Sequence, residues 1–252
     1  MNSMEEHRLF LKDTLRKSVD FRKTDQNQGV PAPMMQKPYD PDATIIPLPS
    51  RKQWAFCTEA VDIVTAIAER RSARRFLQEK LTLEELAFLL WATQGISDSS
   101  GKNPSLRTVP SAGARHSFET YLFIMRVKDL QPGLYRFLPF ENALLFIEPV
   151  EHMSEELGMA CFGQRYAGTG AVTFVWGCIP YRMEWRYSLC AHRVILMDAG
   201  HLCQNLYLAC RAIGAGTCAI GAYDQEKIDT LIRVDGKDEF AVYLAPVGKI
   251  PK

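Results

Sequence analysis

Leu189-Cys-Ala-His-Arg-Val-Ile-Leu-Met-Asp-Ala-Gly-His-Leu-Cys-Gln-Asn-Leu-Tyr-Leu-Ala-Cys-Arg-Ala-Ile213 is the longest element in the chain. Val194, Ile195, Leu196, Met197, Ala199, Leu202, Leu206, Leu208 and Ala209 place apolar groups on nearly every side of a helix. A helix apolar all round is expected to be buried all round. It is too polar in places for a bilayer, so the centre of the body or a subunit interface is its expected place. Gly214 and Gly216 stop it.

Downstream, the pattern predicts a short strand (Cys218 to Tyr223), a helix capped by Asp224 and a last strand (Phe240 to Val247). Upstream lie a buried strand (Ala171 to Ile179), a short helix (Ser154 to Phe162) and a strand from Tyr121 to Val127. Gly133 to Phe137 and Ala143 to Ile147 read as a hairpin. Thr82 and Glu85 form a capping box for a helix that Gly95 ends. Ser97 to Ser105 is a polar loop. Val61 to Ala68 is helical in spacing, and the compact body begins near Thr58. Strands and helices mix without strict alternation, which predicts an α+β fold rather than a doubly wound sheet.

Before the body, Glu5 to Phe21 reads as a polar helix. From Lys23 to Gln53, Pro31, Pro33, Pro38, Pro41, Pro47 and Pro49 are expected to break any regular element. We therefore divide the chain into an N-terminal helix and Pro-rich extended arm, residues 1–54, and a body, residues 55–252. Such an arm wraps over a body or reaches a partner subunit.

Composition narrows the function classes. The 252 residues are 47% hydrophobic and 23% charged, enough for a large core and against global disorder. The formal charge of +1 suggests no nucleic-acid groove. No apolar run is long enough to span a membrane, and the start lacks a secretory pattern. Seven cysteines, none in a C-x-x-C pair, read as reduced and buried, hence a cytoplasmic location. His201 and Cys203 point to different sides of a helix, so no metal site is expected.

Four segments are candidates for chemistry. Arg70-Arg-Ser-Ala-Arg-Arg-Phe76 gathers guanidinium forks that match phosphate oxygens, although a solvated basic helix end has the same composition. Pro110-Ser-Ala-Gly-Ala-Arg-His116 is small enough to bring backbone N–H groups close to a flat ligand, or is an ordinary turn. Gly214 to Asp224 is glycine-rich but lacks dinucleotide spacing, and no phosphate loop of the G-x-x-x-x-G-K-[ST] kind occurs. Glu184-Trp-Arg-Tyr-Ser188 could line a substrate pocket with Tyr187 as proton donor, or be a packed cluster of Arg on Trp.

Taken in order, these segments resemble the nitroreductase superfamily: an Arg-x-Ser-x-Arg/Lys-x-Phe opening, a Pro-Ser loop, a buried helix, a glycine stop and a flavin-contacting strand. Leu83 to Gly95, Arg107 to His116, Pro132 to Arg136 and Asp198 to Asn205 resemble the SagB/ThcOx-type dehydrogenase branch. The resemblance spans about Ile63 to Lys249. It implies a nitroreductase-like α+β fold: a central mixed or antiparallel sheet surrounded by helices, with the long helix buried. It also implies a homodimer with FMN at its interface.

By resemblance, Arg70, Arg71 and Ser72 hold the phosphate and ribityl end, and Arg74 lies near the pyrimidine edge. Pro110, Ser111, Ala112 and Gly113 come from the opposite subunit. Ala219, Ile220, Gly221 and Ala222 lie along the ring, and Gln164 reaches the flavin. Many relatives carry further basic phosphate ligands after the last strand; here only Lys249 and Lys252 remain. Azole-forming relatives resemble Lys-Tyr where this chain has Arg186-Tyr187, and an arginine is too basic to replace a lysine base easily.

The expected activity is ping-pong hydride transfer from NAD(P)H through FMN to a small electrophilic acceptor, nitroaromatic or quinone-like. Two alternatives stay open. One is an FMN-dependent dehydrogenase of a peptide azoline or small metabolite, with Tyr187 and Arg186 at the reacting centre. The other is a flavin-binding partner protein without turnover.

Overall fold

The computed structural model of the chain describes residues 3–55, 57–58, 61–97 and 106–251. In chain order its regular elements are α1 (Ser3–Leu9), β1 (Ile45–Pro47), α2 (Arg51–Trp54), α3 (Ile63–Glu69), α4 (Leu83–Gln94), β2 (Phe118–Ile124), β3 (Gly133–Leu138) and β4 (Ala143–Glu148). There follow α5 (Met153–Ala160), β5 (Val172–Cys178), α6 (Tyr181–Tyr187), α7 (Ala191–Ala212), β6 (Ala215–Thr217), α8 (Gln225–Leu231) and β7 (Phe240–Lys249).

The strands form one sheet in the order β1-β4-β3-β2-β5-β7-β6, and every paired neighbour is antiparallel. The mixed alternative is thereby narrowed to an antiparallel sheet within an α+β fold. β2 and β5 lie at its middle and are buried along their whole length. One face packs on α4 and α7 through Leu86, Leu89, Leu90, Leu122, Phe174, Trp176, Leu202 and Leu206. The other carries Tyr121, Phe123, Val175 and Leu244 against Leu157 of α5 and Ile228 of α8.

Local signals explain several elements. Thr82 accepts the Glu85 amide at 3.2 Å, and the Glu85 side chain returns to the Thr82 amide at 2.9 Å, closing the predicted capping box of α4. Asp62 starts α3 by accepting the amides of Val64 and Thr65, and Asp224 starts α8 by accepting that of Lys227. At Gly95 a Cβ would lie 2.5 Å from the Trp91 ring, so the close of α4 needs glycine for space.

Three expectations need correction. The helix foreseen over Glu5–Phe21 breaks into α1 and single 3-10 turns at Asp13–Lys17 and Phe21–Lys23; the sequence there has too weak an apolar face to hold a continuous helix on the body. The Pro-rich stretch does hold regular structure. Ile45–Pro47 pairs with β4 at the sheet edge, where a proline is tolerated, and α2 begins with Ser50 giving its amide to Gln53 at 2.9 Å.

The strand foreseen at Cys218–Tyr223 lies instead at Ala215–Thr217, because Gly214 reverses the chain at φ +61° directly after the helix; only Ile220 bridges onward, to Leu244. Within the single chain, α7 buries one face. Ile195, Ala199, Leu202 and Leu206 face the sheet, whereas Leu196 and Met197 are 48% and 45% exposed. The loop foreseen over Ser97–Ser105 lies, past Ser97, outside the described residues.

The arm wraps over its own body. Its backbone carbonyls accept hydrogen bonds from body side chains: Val30 from Trp185 at 2.9 Å, Pro33 from Arg115 at 3.3 Å, Met35 from Arg107 at 2.8 Å, and Lys37 and Pro38 from Arg136 at 3.0 and 3.1 Å. Beneath it Arg182 of α6 and Glu119 of β2 form a buried ion pair at 2.5 Å. Burial pulls the Arg107 guanidinium down to about 10, with Glu119 opposing that fall.

Candidate functional site

The arginine segment leaves the end of α3 and runs extended beside β6. Ser72 bridges Thr217 in parallel, and the Ala73 amide donates to the Thr217 carbonyl at 2.9 Å. Gly216 permits this approach, since a Cβ there would lie 2.6 Å from Ala73 Cβ. Arg70 lies over the ring of Tyr207 of α7, 5.3 Å from its centroid. The Tyr207 hydroxyl is 3.0 Å from Ser72 Oγ and accepts the Ala219 amide at 2.9 Å.

Arg74 lies over Tyr166, 5.7 Å from the ring centroid, and its hydrogen bond to that phenol holds its proton more firmly than usual. Tyr166 donates to Gln164 Oε1 at 2.5 Å, and Gln164 Nε2 donates to the Ala222 carbonyl at 2.9 Å. The structure thus brings Arg70, Ser72, Arg74, Gln164, Ala219 and Ala222 onto one surface, joined by two tyrosines.

The rest of that set is placed less evenly. Arg71 turns back, its Nη1 donating to the carbonyls of Ala68 and Arg70. Ile220 is buried and exchanges backbone hydrogen bonds with Leu244, whereas Gly221 and Ala222 are exposed. Among the described residues no ion pair includes Arg70, Arg71, Arg74 or Arg75.

Lys249 lies apart from this surface. Its ammonium is 14% exposed and bonds Glu85 Oε1 and the Ile213 carbonyl, each at 2.5 Å, so its charge is spent inside the fold.

Pro110, Ser111, Ala112 and Gly113 form a second surface. Asp198 of α7 accepts the Ala112 amide at 3.2 Å and a bond from the Ser111 side chain. Burial pushes the Asp198 carboxyl above its usual range, and those two bonds oppose the rise. Ser111 Oγ in turn accepts the His116 amide at 2.9 Å. Arg186 and Tyr187, from the end of α6, pack on Gly113. A Cβ at Gly113 would lie 2.7 Å from the Tyr187 hydroxyl and 2.8 Å from Arg186 Nε. Tyr187 and Arg186 therefore stand against the Pro-Ser loop and not against the arginine segment. Asp198 and Tyr207, which anchor the two surfaces, are nine residues apart on α7, a rise of about 13 Å.

The Gly113 geometry carries a prediction. Its φ of +59° is left-handed, so Gly113→Ala adds backbone strain of about 1–2 kcal/mol and displaces Arg186 and Tyr187. The unfolding midpoint should fall by roughly 2–8 °C. An unchanged midpoint would show that the loop relaxes freely.

Reading the sequence missed Tyr207, Tyr166 and Asp198. Asp198 had a signal, as a lone acid on an otherwise apolar face of the long helix. The tyrosines had none, since nothing local tells which loop meets them. A groove of about 1050 Å³ between Trp54, Phe88, Trp91, Phe140, Asn205 and Leu208 contains none of the expected site residues.

Comparison with known proteins bears on the same segments. Residues 67–249 match the Nitroreductase family, a range opening just before the arginine segment and closing on β7. A Methanocaldococcus jannaschii protein named as a nitroreductase is 29% identical over 191 residues, covering 76% of this chain and 92% of that protein. A Ralstonia eutropha crystal structure, likewise named, superposes with a TM-score of 0.68 at 24% identity, covering 86% of this chain and 97% of the other. A chain of the E. coli microcin synthetase McbBCD complex, solved with truncated pro-MccB17 bound, superposes with a TM-score of 0.61 at 20% identity over 77% of this chain and 76% of its own. With the match running across nearly all of the body, the chain belongs to the nitroreductase family of oxidoreductases.

Proposed function

We propose that the chain is an FMN-dependent NAD(P)H oxidoreductase that acts as a homodimer on a small electrophilic acceptor. The observation that carries this reading is the set of arginines around Ser72, which lack acidic partners among the described residues and share one surface with Ala219 and Ala222. That donor set fits FMN. Guanidinium forks and a hydroxyl suit a phosphate near double charge, and the small, exposed Gly221 and Ala222 allow a planar ring to approach. When bound, FMN supplies the redox chemistry, ping-pong hydride transfer from NAD(P)H to a nitroaromatic or quinone-like acceptor.

The chain's own residues do the rest. Arg70 and Ser72 hold the phosphate end. Arg74, steadied on Tyr166, places a positive charge where the reduced ring gains negative charge. Arg71 joins the phosphate set by releasing its carbonyl contacts. Lys249, held by Glu85, is left out. Pro110 to Gly113 serve the flavin of the partner, which fits their separation from the arginine segment along α7. A dimer would also cover the exposed Ile63, Val64 and Ile67 of α3 or Leu196 and Met197 of α7.

Within the family we assign the chain to the SagB/ThcOx-type branch, on the stretches quoted above and the likeness in fold to a microcin synthetase chain. A second reading, dehydrogenation of a peptide azoline or small metabolite, draws on Tyr187, whose hydroxyl stands against Gly113 and could exchange a proton there. Among the described residues no helix is long and apolar enough to cross a membrane. We take the site of action to be the cytoplasm, in keeping with seven free cysteines.

An absorbance spectrum tests the main reading. Purified protein incubated with FMN and desalted should retain flavin absorbance, and NADH or NADPH added without oxygen should bleach it. Protein that stays colourless after incubation with excess FMN would overturn the proposal.

A further inference from the structure

The hydroxyl of Tyr207 touches both halves of the candidate cradle. It lies 2.9 Å from the amide nitrogen of Ala219 and 3.0 Å from Ser72 Oγ, while Arg70 stacks on its ring at 5.3 Å. An amide N–H can only donate, so the Tyr207 oxygen receives that proton. The phenol's single proton is then free for its other neighbour, Ser72 Oγ. A serine oxygen that accepts keeps its own O–H for a third partner. Phosphate oxygens only accept, so a cradle serine must arrive as a donor. Were Ser72 to spend its proton on Tyr207, it would turn lone pairs towards the anion.

We propose that Tyr207 is a positioning residue whose hydroxyl sets the polarity of Ser72, leaving the Ser72 proton for a phosphate oxygen, and ties that serine to the Ala219 backbone. The proposal rests on the flavin reading above and adds to it a named source of selectivity for the phosphorylated cofactor. Ser72 is exposed and Tyr207 half-buried in α7, so the serine can turn freely unless the phenol holds it. The ring of Tyr207 is in turn fixed by Arg70, which presents its guanidinium at the same place. One phenol thereby organises two phosphate donors and one backbone segment.

Riboflavin, which lacks the phosphate, separates this role from a general one. Dissociation constants of FMN and riboflavin should be measured by fluorescence for the wild type, Tyr207→Phe, Ser72→Ala and the double variant. Tyr207→Phe should weaken FMN about tenfold, the loss of one hydrogen bond to a charged group, and leave riboflavin within about twofold. Ser72→Ala should show the same FMN-selective loss, and the double variant should bind FMN no worse than Ser72→Ala alone.

Equal weakening of both flavins, or unchanged FMN affinity in Tyr207→Phe, would overturn the assignment while leaving the flavin reading standing. A wild type that binds neither flavin would remove both. Ser72 is exposed, so Ser72→Ala leaves the fold intact, and FMN binding by that variant at the wild-type level would overturn the proposal even if Tyr207→Phe fails to fold.

Discussion

Replacing Glu119 by alanine is expected to lower stability by about 3–5 kcal/mol, because it strips the partner from a buried guanidinium. Glu119 and Arg182 have side chains only 2% exposed and meet at 2.5 Å. The remaining bond of Arg182, to the His116 carbonyl at 3.3 Å, cannot compensate a positive charge in that setting. Glu119 also accepts the Lys37 amide at 2.7 Å, so the arm loses an anchor in the same variant. The unfolding midpoint should fall by roughly 6–20 °C. Glu119→Gln, which keeps the shape and one acceptor, should lie between the alanine variant and the wild type. A loss below about 1 kcal/mol for alanine would mean that water reaches Arg182 and the pair is not sealed.

The second large effect concerns the arm. Removing residues 1–38 deletes the carbonyls that receive Trp185, Arg115, Arg107 and Arg136, together with the Lys37–Glu239 pair at 2.5 Å. With each hydrogen bond contributing about 0.5–1.5 kcal/mol net, and the freed arm regaining entropy, the expected loss is about 3–6 kcal/mol. Denaturant midpoints measure it. Removing only residues 1–20 is the control. That segment is exposed almost throughout, and the ion pair it makes with the body among the described residues, Asp13–Arg193 at 3.5 Å, lies at the surface, so its loss should change stability by less than about 1 kcal/mol. Equal midpoints for the two truncations would show that the strap from Thr24 to Pro38 adds nothing.

Much of this fold could be read from local signals because those signals are local in cause. The Thr82/Glu85 box, the Asp224 cap and the β3–β4 hairpin depend on residues a few positions apart. The start of β6 was misread because glycines that resemble a helix stop also serve as strand residues where another backbone comes close, as Gly216 does beside Ala73. For α7, apolar content alone does not say whether a helix faces its own sheet or another chain.

At the site, the arginine segment and the Pro-Ser loop stood out by composition. Their braces did not. Tyr207 and Tyr166 matter only through loops that reach them from 135 and 92 positions away in the chain, Ser72 and Arg74 respectively. Lys249 looked available from sequence, yet a carboxylate 164 positions earlier claims it.

The way the arm is held has a consequence for how its sequence can change. Four body side chains read main-chain oxygen atoms, which every amino acid possesses, proline included. Docking there is indifferent to most side-chain identities and favours residues that stiffen the chain before it docks. Substitutions from Val30 to Pro38 that keep the extended path should be absorbed with little penalty, and a strap that looks like linker text can drift widely while the receptor beneath it stays the same.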